Sequence, residues 1–123
     1  MAGLVASCGG GPTAADIQKL PEASFIYPGA TVVSTSSSDA KLPYAGAFVV
    51  VSYQSSAPWS AISAFYREKL VALGYEAHAN FQTGGDPTDW YTKDSRSIDL
   101  IHTTGYNGSA GSATEYEYDI QQR

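Results

Sequence analysis

The sequence predicts a two-layer α+β domain: one amphipathic helix packed on a mostly antiparallel sheet, with elements in the order ββαββββ. Three observations predict it. Trp59, Ile62, Tyr66, Leu70 and Leu73 follow one another at spacings of 3, 4, 4 and 3, which is a single helical face. The segments on either side run apolar or alternate with a period of two, as strands do. Short turns separate the later strands, which favours antiparallel neighbours, and one apolar stripe on a helix needs one sheet face to cover it. A chain of 123 residues has room for one core, and 43% hydrophobic content is enough to build it.

Taken in chain order, residues 1–24 read as a truncated signal remnant and flexible tether, and residues 25–123 as a single α+β domain. Ala14 to Leu20 has the pattern of one or two helical turns, with Thr13 as N-cap and Pro21 as the stop. Tyr27-Pro28-Gly29-Ala30 fits a type II turn, because proline presets the first central position and glycine accepts the positive φ of the second. Thr31 to Ser36 is β-branched and reads as the first strand. Gly46 to Gln54 is the strongest strand and is apolar on both parities, so a central position is expected.

Ser55 or Ser56 is the expected helix cap, with Pro58 in the first turn. Gly74 falls where the left-handed residue after a helix belongs. Tyr75, Ala77, Ala79 and Phe81 then alternate with polar residues, and Gly84, Gly85 and Pro87 mark a turn. Asp89–Lys93 and Ser97–Thr104 follow as strands joined near Asp94-Ser95. A Gly/Ser loop runs to Ala113. The last strand alternates Thr114, Tyr116, Tyr118 and Ile120 with Glu115, Glu117, Asp119 and Gln121, giving a half-buried strand with an acidic outer face.

Charge narrows the partners. Lys and Arg number 7 against 12 Asp and Glu, a net charge of −5. Nucleic acid and anionic membrane surfaces are recognised through clustered Lys and Arg, so neither is an expected partner. The longest strongly apolar run, Phe48 to Val51, is far below the roughly 20 residues of a membrane-crossing helix. One cysteine excludes an intrachain disulfide and a Cys-rich zinc site.

That cysteine carries the most specific signal. Leu4-Val5-Ala6-Ser7-Cys8 resembles a bacterial lipobox, with small residues where a peptidase must grip the backbone and apolar Val5 three positions before the cysteine. Gly9, Gly10, Gly11 and Pro12 follow with tether composition. Only seven residues precede Cys8, and none is Lys or Arg, so they read as the remnant of a signal. Together with Cys8, the residues Tyr27-Pro28-Gly29-Ala30, Trp59, Phe65-Tyr66-Arg67-Glu68-Lys69-Leu70 and Gly74-Tyr75 resemble a pattern of small extracytoplasmic lipoproteins of bacteria. The resemblance covers about residues 27–75. It implies a thiol acylated with diacylglycerol, cleavage before Cys8 and acylation of the new amine with a fatty acid such as palmitate. It supplies one functional position, Cys8 as lipid attachment site, and no catalytic residue.

Catalytic and metal chemistry find little support in the pattern. His78 and His102 stand 24 residues apart on different strands, unlike paired metal ligands. His78 is expected on a solvent face and His102 under the helix edge. No G-x-S-x-G elbow is present. Glu115, Glu117 and Asp119 line one strand face, with Asp99 expected near them on a neighbouring strand, but a flat strand face is a poor glycosidase cleft. Gly105, Gly108 and Gly111 follow no phosphate-binding motif. No cofactor and no metal are expected.

The remaining surface is the sheet face away from the helix. If Phe48 and Val50 face the helix, Val49, Val51 and Tyr53 face outward, and Tyr91 and Ile101 join them as a partner surface. The sequence therefore supports a membrane-anchored, extracytoplasmic, non-catalytic binding or assembly module of the cell envelope, with an envelope protein or glycan as partner. A small extracytoplasmic hydrolase, or an enzyme inhibitor acting through residues 105–113, is the alternative.

Overall fold

The computed structural model describes residues 12–40, 46–78, 81–83, 86–103 and 114–123, with 81–83 and 86–87 as backbone only. The elements are α1 (Ala14–Gln18), a 3-10 turn (Pro21–Ser24), β1 (Thr31–Ser38), β2 (Ala47–Ser55), α2 (Trp59–Ala72), β3 (Glu76–Ala77), β4 (Phe81–Thr83), β5 (Asp86–Lys93), β6 (Arg96–His102) and β7 (Thr114–Gln122). The predicted two-layer α+β architecture is present. Strands run in the spatial order β1-β2-β7-β6-β5-β3, and β4 also pairs with β5. Each of these pairings is antiparallel.

Local chemistry sets the element boundaries. Ala30 donates its N–H to the Tyr27 carbonyl at 2.9 Å across Pro28-Gly29, and Gly29 has φ +89°, as the type II turn requires. Gly74 has φ +96° and closes α2 with a Schellman pair, its N–H on the Val71 carbonyl and the Tyr75 N–H on that of Leu70. The start of α2 differs from expectation. Pro58 is the N-cap and Trp59 the first helical residue, while Ser55 ends β2 and accepts the Ala57 N–H at 3.1 Å. A proline disfavours helical backbone in the residue before it, so a helix begun at Ser55 or Ser56 would clash at Ala57. The single strand expected over Tyr75–Gln82 is two short pieces, β3 and β4, laid end to end along β5.

The N-terminal segment is also corrected. Residues 14–24 are part of the folded body, not a tether. Thr13 and Asp16 form a reciprocal capping box at the start of α1. Asp39, just after β1, accepts the Ala14 N–H at 2.8 Å. Ile17 is completely buried, and Glu22 is 2% exposed. The physical reason is the apolar demand of the core, which takes Ala14 and Ile17 as members.

Tyrosine dominates that core. Tyr53, Tyr66, Tyr75, Tyr91, Tyr116 and Tyr118 are all buried between helices and sheet, with Ile62, Leu70, Ile98, Leu100 and Ile120. A buried hydroxyl needs a partner. Tyr66 donates to the Phe25 carbonyl at 3.2 Å and shares a 3.0 Å bond with Tyr116. Tyr118 donates to the Glu22 carbonyl at 2.8 Å, and Tyr75 donates to the Glu22 carboxylate. Arg96 completes the cluster with an ion pair to Glu22 at 3.1 Å. Removal from water pushes the Tyr53 and Tyr91 hydroxyls up to about 12.

Candidate functional site on the open face of the sheet

The described helices share one face of the sheet. Tyr66 of α2 packs on Tyr116 and Tyr118 of β7, Glu22 of the 3-10 turn reaches the same side, and Ile17 of α1 joins the same cluster. Residues directly opposite in an antiparallel pair point to the same face. The register therefore assigns the other face without ambiguity. Phe48, Val50 and Ser52 of β2 meet Gln121, Asp119 and Glu117 of β7. Gln121, Asp119 and Glu117 meet Ser97, Asp99 and Ile101 of β6. Asp99 meets Trp90, and Ser97 meets Thr92.

This placement corrects the expected partner surface. Tyr53 and Tyr91 lie on the helix face, 2% and 1% exposed. Val49 and Tyr53, not Phe48 and Val50, point at the helix layer, because Tyr53 must follow its cross-strand partner Tyr116. Tyr91 pairs with buried Ile98 and goes with it, leaving Trp90 outward. Ile101 is on the open face, half-buried beside Glu117. Cys8 lies outside the described residues, as do residues 105–113.

At the centre of the open face two carboxylates stand side by side. Asp119 and Asp99 are direct cross-strand partners on the two adjacent strands β7 and β6. Burial, followed by the charges of Glu117 and Asp99, pushes the Asp119 carboxyl up to about 7. Burial raises the Asp99 carboxyl as well. The Oδ1 atom of Asp119 is buried and has no hydrogen-bond partner among the described residues. Such a pair favours holding one proton between two acids, and an acid that titrates near neutrality can give or take a proton at physiological pH.

An aromatic platform borders the carboxylates. The His78 ring stacks on Trp90 with centroids 4.0 Å apart, and His78 Nε2 lies 2.8 Å from the Thr92 hydroxyl. Its backbone N–H bonds the Trp90 carbonyl. His78 is thus half-buried on the solvent side, held by a stack as well as by strand pairing. An open depression of about 300 Å³ beside the platform is lined by Trp90, Thr92, Ser97, Asp99 and Gln121, among others.

The second histidine is elsewhere. His102 stacks on Trp59 at 4.9 Å, under the first turn of α2, as its parity with Ile98 and Leu100 implied. On the same helix face Ser63 of α2 donates a hydrogen bond to Asp89 of β5. The two histidines face opposite sides of the sheet, and among the described residues no three His, Cys, Asp or Glu side chains gather as a metal-ligand set.

Sequence reasoning identified the acidic strand, Asp99 beside it and the packing of His102. It missed the Trp90–His78 stack and the directness of the Asp99–Asp119 contact. Strand register alone carries both. No protein-family model matches this chain, and no match is found among curated proteins or solved structures.

Proposed function

We propose that this chain is a membrane-anchored lipoprotein of the bacterial cell envelope, tethered through Cys8, and that it acts as a non-catalytic binding module. Its contact surface is the open sheet face around Trp90, His78, Val50 and Ile101. The carrying observation is that this face mixes stacked aromatic, aliphatic and carboxylate groups, while the described helices all pack on the other side. Aromatic faces and carboxylates together suit an envelope protein or glycan, which offers both apolar and hydroxyl or cationic groups. The lipobox-like residues Leu4–Cys8 support the anchor. Two acyl chains on one cysteine give stable membrane attachment without a spanning helix. Among the described residues no helix is long and apolar enough to cross a membrane.

A hydrolytic reading rests on Asp119, an acid that titrates near neutrality beside a second carboxylate. The binding reading is preferred because the two carboxylates stand directly opposite each other on adjacent strands, not across a cleft that would hold a substrate between them.

The test is the intact mass of the protein expressed from its full native locus in a bacterial host and recovered from both the soluble and the detergent-extracted membrane fractions, with Cys8→Ala alongside. A mature chain that begins at Cys8 and carries acyl mass, absent in the variant, is the expected result. An unmodified soluble chain beginning at Met1 overturns the anchor.

A further inference from the structure

The outer edge of β1 presents a second surface, independent of the open face. β1 is the longest outer strand, eight residues against the two of β3 and the three of β4 at the other side of the sheet. Seven of its eight residues are exposed. Its sequence, Thr-Val-Val-Ser-Thr-Ser-Ser-Ser, contains no charge and no proline, the two devices that most often stop an edge from pairing. One irregularity interrupts its pairing with β2, between Val32 and Ser34, and the stretch Ser34–Ser38 beyond it is regular. Val32 and Val33 at that point are 51% and 59% exposed.

We propose that β1 pairs edge to edge with β1 of a second copy of this chain, antiparallel, joining two sheets into one. Three features favour a copy over a foreign strand. A neutral edge offers no charge by which to select an unlike partner. An identical neutral edge opposes no like charges, and serine and threonine hydroxyls hydrogen-bond across strands. The chain's net negative charge is no obstacle, because the acidic strand β7 lies two strands inward, roughly 10 Å and about one screening length away.

The position of Pro12 also fits. Pro12 accepts the Ala40 N–H, so the described chain begins just beyond the Ser38 end of β1. Antiparallel pairing places the two Pro12 residues at opposite ends of the seam. The symmetry axis of such a pair is perpendicular to the sheet. Both helix layers then lie on one side and both open faces on the other, which doubles the open face.

The test is sedimentation of the full chain under reducing conditions, up to about 1 mM, with amide exchange measured at the dilute and concentrated ends. Ser34 and Ser36 pair with Ser52 and Val50 and so face away from the helices. Two double variants are compared: Ser34→Lys with Ser36→Lys, and Ser34→Glu with Ser36→Glu. Wild type is expected to reach twice the mass of one chain, with slower exchange over residues 31–38 in the concentrated sample. Each variant alone is expected to remain a monomer with an unchanged far-ultraviolet spectrum, and an equal mixture of the two to associate again. A wild-type chain that stays monomeric throughout overturns the proposal. So does association that persists in both variants. If the variants lose their fold, the wild-type exchange decides, and rates over residues 31–38 that ignore concentration overturn it.

Discussion

Asp119 shows how neighbours set the chemistry of one side chain. It stands on β7, between β2 and β6, so its carboxyl is flanked by Val50 on one side and by Asp99 on the other. Burial costs it water, and Glu117 and Asp99 add like charge. The folded carboxyl therefore titrates at about 7, above its ordinary 3.8. Between those values the native state holds more protons than the unfolded chain, so stability falls as pH rises and the cost is complete above pH 7. Asp119→Asn is expected to stabilise the protein at about pH 8 by about 1–2 kcal/mol, a figure reduced for the carboxyl's partial contact with water. Near pH 4 the substitution is expected to be almost neutral. Urea unfolding at the two pH values measures the difference, and an equal effect at both removes the burial argument.

At the scale of elements, α1 is the informative case. Its five residues are too few to be stable alone. Packing sustains it, through Ile17 against the core and the Asp39 carboxylate on its first N–H. Ile17→Ala is expected to cost about 2–4 kcal/mol, as for other fully buried aliphatic truncations, measured by urea unfolding. A tether would lose nothing. The same segment marks a limit of sequence reading. Gly9–Pro12 has linker composition, and although Thr13 and Pro21 mark helical turns over Ala14–Leu20, nothing local says that those turns dock on the core, because the residues that cover them lie on β2, beyond β1 and on β7. β2 marks another limit. Phe48, Val49, Val50 and Val51 are apolar at both parities, so periodicity fixed a strand but not its inward side. The tie is broken in space by β7, whose tyrosine and acidic parities are unmistakable and whose Tyr116 faces Tyr53. Trp90 and Tyr91 posed the same ambiguity, resolved by Ile98. Helix α2, the turn at Pro28-Gly29 and the stop at Gly74 depend on neighbours within a few residues, and those were legible.

For the whole molecule the decisive contacts are the distant ones. The first hairpin, β1–β2, joins the later meander only because β2 lies against β7, so the sheet cannot separate into halves without losing its central pairing. Glu22 closes the structure a second time. Its carboxylate receives Arg96 across 74 residues and Tyr75 across 53, and its carbonyl receives Tyr118 across 96. Glu22 is almost fully enclosed, so loss of its cation leaves a buried charge supported, among the described residues, by the Tyr75 hydroxyl alone. Arg96→Met keeps most of the side-chain volume and removes the guanidinium. Breaking one partner of a buried pair typically costs about 3–5 kcal/mol, and the remaining Tyr75 bond places this site at about 3. Because the core is one cluster joining both halves, that loss is expected to lower a single transition. Far-ultraviolet ellipticity should report the sheet, and near-ultraviolet ellipticity the buried tyrosines. Coincident midpoints in wild type, shifted together in Arg96→Met, are the expected outcome. If the tyrosine signal melts first while the sheet signal stays in place, the N-terminal segment is a separate cooperative unit and Glu22 does not bind the two halves together.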